Sequence, residues 1–174
     1  HDQSSAASDV YKRQVALGLA VGAYRNALKF AKEREQFGRP IAEFQGLQWM
    51  LADMSVQIEA ARSLLHKAAL SAGQNGSPFP DPTLAAQGKI FTSEMALKVT
   101  NDALQMFGAR GYSRNYPMER LARDARMFTI GGGTAQILRT VVASRILEMK
   151  LPQTREGFLP VSYTHLRAHE TYDH

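Results

Sequence analysis

The stretch from Gln105 to Arg139 holds two glycine-rich turns on either side of an arginine-rich segment. The second turn, Gly131 to Gly133, precedes Thr134 and an apolar-periodic run that predicts a new helix. The first N–H groups of a helix have no acceptor within it, and the helix dipole adds partial positive charge there. Because glycines let a ligand approach the main chain closely, the turn suits a phosphate or an oxidised ring. A simple helix linker capped by Thr134 is the alternative on local chemistry alone.

A second candidate group lies where the first predicted helix ends. Arg34 is followed by Gln36 and Phe37 in the run E-R-E-Q-F-G-R-P, and Gln45 comes eleven residues after Arg34. An arginine at a helix C-terminus can simply complement the helix dipole and cap the last carbonyls. Taken alone, this residue leaves a structural role and a ligand-binding role open.

Helices must hold both groups in place, because helical periodicity fills most of the chain between its ends. Glycines and prolines between residues 73 and 82 separate the second predicted helix from the third. The four expected helices run from Val15 to Arg34, Phe44 to Ala72, Thr83 to Phe107 and Thr134 to Met149. With no strand candidate between them, they predict an all-α fold, an antiparallel up-and-down four-helix bundle forming one domain over residues 15–150.

Each predicted helix has its own apolar pattern. The first has small residues that would permit close helix approach, and the second has the spacings of three and four that are typical of a heptad seam. The third has apolar residues seven apart, and the last has them on one side. In helix order these residues are Gly18, Ala20, Gly22, Ala23 and Ala27; Leu47, Leu51, Met54, Ile58, Ala61, Leu65, Ala68 and Ala72; Ile90, Leu97 and Leu104; and Ile137, Leu138, Val141, Val142 and Ile146.

Composition argues against several kinds of site. The 174 residues suffice for one domain with a substantial core. Since there is no cysteine and the five histidines form no ligand-spaced pair, we expect neither a disulfide nor a metal site. No run suits a membrane span or a signal peptide, so a cytoplasmic protein is expected. The net charge of +5 is interspersed with acidic residues, which argues against a nucleic-acid surface.

The two ends of the chain differ from the middle in periodicity and composition. Residues 1–14 and 161–174 resemble translated sequencing-adapter sequence, so we expect foreign flanks on a fragment of a longer protein. Native disordered tails are the alternative for these flanks, and residues 151–160 are expected to form a further tail.

The two candidate groups together resemble the C-terminal signatures of the acyl-CoA dehydrogenase family. R-x-x-F-G-x-P-I-x-x-F-Q begins at Arg34. From Gln105 the chain continues with Q-x-x-G-x-x-G-Y, a proline, R-D-A-R and then I-x-x-G-T-x-Q-I-x-R. The resemblance extends from Val15 to Leu147 and implies the C-terminal helical domain of a flavoprotein.

The resemblance implies a role for each matching residue. Arg34 would contact the FAD pyrophosphate, for which a planar bidentate donor is suited. Gly132 and Gly133 would lie against the acyl-CoA substrate. The other implied FAD contacts are Gln36, Phe37, Phe44 and Gln45 beside the dinucleotide, Gln105, Met106, Phe107, Gly108 and Ala109 against the adenosine part, and Thr134 and Gln136 at the last helix. Some of these would reach the flavin of a neighbouring subunit, so a homotetramer is implied and a lone copy is expected to hold FAD poorly.

The chain departs from the family pattern at the catalytic base. Many members place a glutamate just before the Gly-Thr pair, where this chain has Gly132, which cannot accept a proton. The isovaleryl and long-chain branches resemble this chain in having Gly or Ala there, and they carry the glutamate on an earlier helix. Counting back from Arg34 places that position at Ser8, inside the expected flank. We therefore assign no catalytic residue here and expect the intact gene to encode the glutamate upstream.

The chain also departs from the family pattern at the first glycine turn, and it has further carboxylates outside the two motifs. The family has two glycines where this chain has Gly108 and Ala109, a mild change if Ala109 avoids positive φ, and Arg110 receives no role. The carboxylates of Asp53, Glu59 and Glu94 are expected to be solvated or structural.

The implied activity is α,β-dehydrogenation of an acyl-CoA thioester in fatty acid or amino acid catabolism. The implied cofactor is FAD and the implied electron acceptor is an electron-transfer flavoprotein. Two alternatives stay open: a nucleic-acid-binding flavoprotein of the same fold with little dehydrogenase activity, and an acyl-CoA oxidase that reoxidises its flavin with oxygen. In each case the isolated fragment is expected to be inactive.

Overall fold

A computed structural model describes residues 2–151, with side-chain burial for residues 13–151 except residue 75. The expected flank at 161–174 and the tail beyond Leu151 lie outside the described residues, as do the side chains of nearly all of the expected flank at 1–14. In the described part no helix is both long enough and apolar enough to cross a membrane.

The described chain is an all-α bundle, as predicted, in which two short helices and a minimal hairpin join the four long helices. The elements are α1 (Asp2–Glu33), β1 (Glu35–Gln36), β2 (Arg39–Pro40), a 3₁₀ turn (Ile41–Glu43), α2 (Gln45–Leu70), a 3₁₀ turn (Gln74–Gly76), α3 (Pro82–Phe107), α4 (Ala109–Tyr112), α5 (Met118–Met127) and α6 (Ala135–Ile146). The prediction missed the hairpin and α4, which are too short to show periodicity. It also missed the ten-residue α5, although Met118, Leu121 and Ala125 have helical spacing. It also began α1 at Val15 instead of Asp2.

Helix α3 lies at the centre of the bundle. It packs against α1, α2, α5 and α6, so its buried surface extends over a wide arc instead of a narrow seam. The predicted seam of Ile90, Leu97 and Leu104 is only half-buried. The buried positions are instead mostly small or polar and lie on both sides of that seam, a pattern that a heptad count does not detect. They are Ala85, Ala86, Gly88, Lys89, Thr92, Ser93, Met95, Ala96, Val99, Thr100, Ala103, Met106 and Phe107.

Alanines let α1 pack closely against α3. Ala16, Ala20, Ala23, Ala27 and Ala31 lie at spacings of three and four, and each is at most 1% exposed. The prediction that the glycines of α1 serve the same purpose is wrong. A Cβ at Gly18 or Gly22 would meet nothing within 4 Å, because neither faces a neighbouring helix closely.

The centre of the predicted heptad seam of α2 is confirmed, because Met54, Ile58, Ala61, Leu65 and Ala68 are buried. Leu47, Leu51 and Ala72, at the two ends of the seam, are half-buried. The ends of α3 also follow from the local sequence. Asp81 caps its N-terminus by accepting from the N–H of Leu84 at 2.8 Å, and Pro82 follows where a missing N–H costs nothing.

Helix α6 packs chiefly on α3 and keeps much of its apolar surface outside. Ile137 and Ile146 are 50% and 68% exposed, whereas Leu138, Val141 and Val142 are half-buried. The predicted apolar side is therefore only partly buried within this chain. A bidentate ion pair joins α6 to α3: the Arg139 guanidinium donates to the two Glu94 carboxylate oxygens at 2.7 and 2.8 Å. The hydrogen bond and charge of Glu94 raise the pKa of Arg139, so Glu94 has the structural role expected for it.

Candidate functional site

The hairpin after α1 holds one residue in a strained conformation. Gln36 pairs with Arg39 across the turn, and the two central residues, Phe37 and Gly38, have φ of 55° and 75°. A two-residue turn with positive φ at both central positions matches the right-handed twist of the two strands that it joins. A phenylalanine with positive φ is nevertheless uncommon. Phe37 is also 91% exposed, so burial does not explain why this ring occupies the strained position.

Phe44 supports the hairpin from the start of α2. Its ring meets Phe37 edge to face, with centroids 6.1 Å apart and planes inclined by 77°. The Arg39 guanidinium lies 4.5 Å from the Phe44 ring centroid, within the range of a cation–π contact. This packing fixes Phe44, while neighbouring Gln45 is exposed at the first position of α2.

Arg34 connects α1 to the hairpin through its backbone and leaves its side chain available. Its N–H donates to the carbonyl of Phe30 at 2.8 Å, and its carbonyl accepts from Ile41 at 2.8 Å. Within the described residues the half-buried guanidinium makes neither a hydrogen bond nor an ion pair. The structure therefore gives no support to the alternative in which Arg34 caps helix carbonyls.

The end of α3 lies beside the end of α1. Phe107 stacks on Phe30 with centroids 4.1 Å apart and an interplanar angle of 14°, and Met106 is also buried. Because the side chains of Met106 and Phe107 are buried, only their backbone atoms could make the predicted cofactor contact, whereas Gln105 and Ala109 are exposed. The positive φ at this turn, 57°, falls on Gly108. Ala109 is helical, so the family's second glycine is dispensable here.

Arg110 and Gly111, which follow Ala109, have structural roles that the sequence did not reveal. The Arg110 guanidinium lies 6.0 Å from the Phe30 ring centroid, at the outer limit of a cation–π contact. A Cβ on Gly111 would lie 2.6 Å from the Leu104 carbonyl oxygen and 2.9 Å from the Phe107 Cβ. Gly111 is therefore required for close packing where α4 folds back on α3.

The second glycine turn leads into α6 and exposes backbone donors. Thr134 caps the helix by accepting from the N–H of Ile137 at 3.2 Å, as the linker alternative predicted. Gly132 and Gly133 have φ of 69° and 86°. Within the described chain the N–H groups of Gly132, Gly133, Thr134 and Gln136 have no acceptor. Cap formation and ligand binding are thus compatible, because the cap satisfies only one of the available donors.

Lys89 is the residue that sequence reasoning missed at this turn. It is 4% exposed, and its ammonium donates to the carbonyls of Gly132, at 3.0 Å, and Gly133. A lysine among the small residues Ala85, Ala86 and Gly88 could have indicated a buried cation, since lysine is rarely fully buried without partners.

The predicted site residues form two groups at different levels of the bundle. Arg34, the hairpin and the Gln105–Ala109 segment adjoin the stacked Phe30 and Phe107. The Gly131–Thr134 turn adjoins Lys89, which precedes Phe107 by 18 positions. At the rise of an α-helix this corresponds to about 27 Å along α3. The fold therefore does not bring all the predicted residues to one place.

Comparison with known proteins identifies the domain. The model of the "Acyl-CoA dehydrogenase, C-terminal domain" family matches residues 13–147. The chain belongs to the acyl-CoA dehydrogenase family.

Two kinds of relative are similar to this acyl-CoA dehydrogenase family domain. The 3-sulfinopropanoyl-CoA desulfinase of Cupriavidus necator is 68% identical over 146 residues, which are 84% of this chain and 36% of the relative. The short-chain-specific acyl-CoA dehydrogenase of Clostridium acetobutylicum is 45% identical over 75% of this chain and 34% of its own. The chain therefore spans about a third of the length of the relatives it matches.

The fold matches solved members of the family. The structure of butyryl-CoA dehydrogenase from Megasphaera elsdenii superposes with a TM-score of 0.77 at 40% identity, covering 82% of this chain and 37% of that one. The acyl-CoA dehydrogenase family is FAD-dependent. Membership agrees with the resemblance seen in the two sequence motifs and with the predicted helical domain.

Among the residues that the structure describes, the glycine turn of this acyl-CoA dehydrogenase family domain contains no carboxylate. Position 132 is glycine, Glu94 is engaged by Arg139, and Asp53 and Glu59 are exposed on α2. The side chain of Ser8, at the alternative base position, lies outside the described part. Within the described residues, no group of three or more histidine or acidic side chains could hold a metal ion.

Proposed function

We propose that this chain is the C-terminal domain of an FAD-dependent enzyme that acts on an acyl-CoA thioester. The observation that carries the proposal is a strained, exposed Phe37 three residues after an Arg34 whose guanidinium has no partner in the described chain. Strained residues persist where the surroundings hold them in place, and they cluster at ligand sites. The names of the three relatives described above each refer to an acyl-CoA, which agrees with this proposal.

The residues near the ends of α1 and α3 suit the dinucleotide part of FAD. Arg34 would donate to the pyrophosphate, and the exposed Phe37 ring and the amide groups of Gln36 and Gln45 would lie beside it. Gln105 with the main chain from Met106 to Ala109 would contact the adenosine part. When bound, FAD would supply hydride acceptance or donation at the substrate carbon.

The glycine turn suits the thioester and the adjoining part of the flavin. Its unpaired N–H groups at a helix start favour electron-rich atoms such as a carbonyl oxygen. Gly132 and Gly133 would lie against the acyl-CoA, and Thr134 and Gln136 would make polar contacts with the flavin. Since the turn has no carboxylate, it would polarise the substrate while another residue moves the proton.

The reaction expected from the sequence motifs is α,β-dehydrogenation. A base elsewhere in the intact protein would take a proton from the carbon next to the thioester carbonyl, and bound FAD would supply the acceptor for a hydride from the next carbon. In this reading an electron-transfer flavoprotein then takes the electrons, several copies of the chain assemble, and the enzyme is cytoplasmic. A chain in the solved structure of the electron transferring flavoprotein of Acidaminococcus fermentans is 44% identical to this one.

Desulfination is a second candidate, favoured by the higher identity of the desulfinases. Four of them are 65–68% identical to this chain, against 43–45% for proteins named as dehydrogenases. The reaction would convert 3-sulfinopropanoyl-CoA and water to propanoyl-CoA and hydrogen sulfite. A carbon–sulfur bond breaks, a carbon–hydrogen bond forms, and no external electron acceptor is needed. The absence of a carboxylate at Gly132 is compatible with this reaction.

A single pair of assays on the intact protein separates the two reactions. Under anaerobic conditions, dehydrogenation bleaches the flavin when butanoyl-CoA is added. Desulfination releases sulfite from 3-sulfinopropanoyl-CoA over many turnovers without an acceptor. Bleaching followed by hydrogen peroxide in air would indicate the oxidase instead. Bound flavin that butanoyl-CoA does not bleach, together with no sulfite release from 3-sulfinopropanoyl-CoA, would contradict both proposals and favour the nucleic-acid-binding alternative.

A further inference from the structure

Lys89 joins the middle of the bundle to the turn that precedes α6. Its side chain belongs to α3, yet its ammonium donates to two consecutive carbonyls, of Gly132 and Gly133, more than 40 residues later in the chain. Burying an ammonium is unfavourable unless it is well hydrogen-bonded, and Lys89 is 4% exposed. A leucine or methionine would fill such a position without that cost, so packing alone does not explain the lysine.

The two carbonyls can meet one ammonium because both glycines adopt left-handed conformations. Their φ angles of 69° and 86° are strained for residues with a side chain but accessible to glycine. With the carbonyls held by Lys89, the N–H groups of Gly132, Gly133 and Thr134 have no acceptor in the described chain. The lysine therefore fixes the turn from its carbonyl side and leaves its donors available.

A role limited to attaching α6 to the bundle does not account for this contact. The bidentate pair between Arg139 and Glu94 already joins α6 to α3, beyond the turn. The two hydrogen bonds of Lys89 instead end on carbonyls of the turn itself, those of Gly132 and Gly133. Its effect is therefore on the conformation of Gly131 to Thr134.

We propose that Lys89 is a positioning residue that holds the Gly131–Thr134 turn in the conformation in which its amides receive the thioester and flavin. This inference rests on the proposed function, which places acyl-CoA and flavin at the turn. In this proposal Lys89 acts through the two glycine carbonyls and does not itself bind the thioester or the flavin.

Amide hydrogen exchange on the 174-residue chain tests the first half of the proposal. Lys89→Met removes the donor at similar length. The N–H groups of Gly131 and Ala135 report on the turn, because they lie at its two ends and donate to the carbonyls of Met127 and Thr129 just before it. We expect their exchange to accelerate about tenfold or more, which is the loss expected for hydrogen bonds to a charged group. Unchanged exchange in a folded Lys89→Met chain would overturn the proposal, whatever the enzyme's reaction.

The matched control is Lys98→Met on the same helix. Lys98 is half-exposed and pairs with Asp102 four residues later, away from the turn. It should leave turn exchange unchanged. Lys89→Arg retains a donor, so it should restore slow exchange in part. These comparisons separate a lost hydrogen bond from a general loosening of α3, and equal acceleration in both methionine variants would contradict the proposal.

The intact flavin-loaded enzyme tests the second half. With butanoyl-CoA and 3-sulfinopropanoyl-CoA as probes, kcat per bound flavin should fall about tenfold or more in Lys89→Met, recover partly in Lys89→Arg and stay unchanged in Lys98→Met. A merely structural lysine would lower stability but not kcat per flavin, and that result would overturn the catalytic consequence. If the wild-type protein acts on neither thioester, the proposed function fails, while the exchange result still decides whether Lys89 fixes the turn.

Discussion

At the residue scale, Arg34 and Phe37 differ from the rest of the surface in ways that packing does not explain. The Arg34 side chain is half-buried without an ion-pair partner in the described chain, and Phe37 has positive φ and an almost fully exposed ring. Both lie in the motif that resembles the family's FAD-binding signature. Their substitution should therefore affect ligand binding more than folding.

Arg34→Met should weaken FAD binding by the intact protein about 10- to 100-fold, because a charged hydrogen bond to phosphate is lost. The dissociation constant can be measured from flavin fluorescence after the apoprotein is titrated with FAD. Arg25→Met is the matched control, since Arg25 is exposed on the same helix and makes no ion pair in the described chain. Equal weakening by both substitutions would contradict a specific pyrophosphate contact.

Phe37→Asn should stabilise the folded chain while weakening FAD binding. Asparagine tolerates positive φ, and Asn-Gly is favoured in this type of turn, so the free energy of unfolding should rise by up to about 1 kcal/mol. Loss of the aromatic contact should weaken FAD binding by roughly fivefold. Urea unfolding and the same FAD titration measure the two effects. A destabilised Phe37→Asn chain with unchanged FAD affinity would mean that Phe37 has a structural role only.

At the element scale, α1 and α4 pack closely against α3 at positions that the glycine content of the sequence did not identify. The first helix contains Gly18 and Gly22, yet its alanines make the close packing against α3. Gly111 lies in the short α4, where no periodicity exists, yet a Cβ there would clash with α3. Whether close packing requires a glycine therefore depends on the atoms around that position, and not on the presence of the glycine in a helix.

Gly18→Ala and Gly111→Ala should have opposite effects on stability. Alanine at Gly18 meets no atom within 4 Å and is the better helix former, so unfolding should cost about 0.5–1 kcal/mol more. Alanine at Gly111 must displace the Leu104 carbonyl or the Phe107 Cβ, which should lower stability by about 1–3 kcal/mol. Urea denaturation of the two variants in parallel provides the test. Destabilisation by Gly18→Ala would indicate a contact beyond this chain.

At the scale of the whole molecule, the two groups of predicted site residues are separated along α3. The distance from Lys89 to Phe107 is about 27 Å at helical rise, so one copy does not gather all of them around one point. The exposed apolar residues of α6 and the share of the relatives that this chain spans agree with a domain that works as part of a larger assembly.

The 174-residue chain alone should therefore retain little flavin, whereas the intact protein should be purified with FAD as an oligomer. The flavin-to-protein absorbance ratio, measured with light scattering after size exclusion, tests both expectations. A monomeric 174-residue chain that binds one FAD tightly would contradict them, because it would show that one copy forms a sufficient site.

The sequence determined the elements whose causes are local. The seam of α2 follows from apolar spacing, the proline and Asp81 fix the start of α3, and Thr134 caps α6. The motif at Arg34 and the block from Gln105 likewise predicted the family, because their order and spacing are readable along the chain. The individual FAD and substrate contacts stay predictions.

Only the tertiary structure decided which residues meet across the bundle. Lys89 reaches carbonyls more than 40 residues away, Gly111 packs on Leu104, and the predicted site residues divide between two levels of α3. Helical periodicity reports which face of a helix is apolar, but not how many helices surround it or which side chain fills the space between them. Those outcomes depend on contacts between distant segments, which local spacing does not encode.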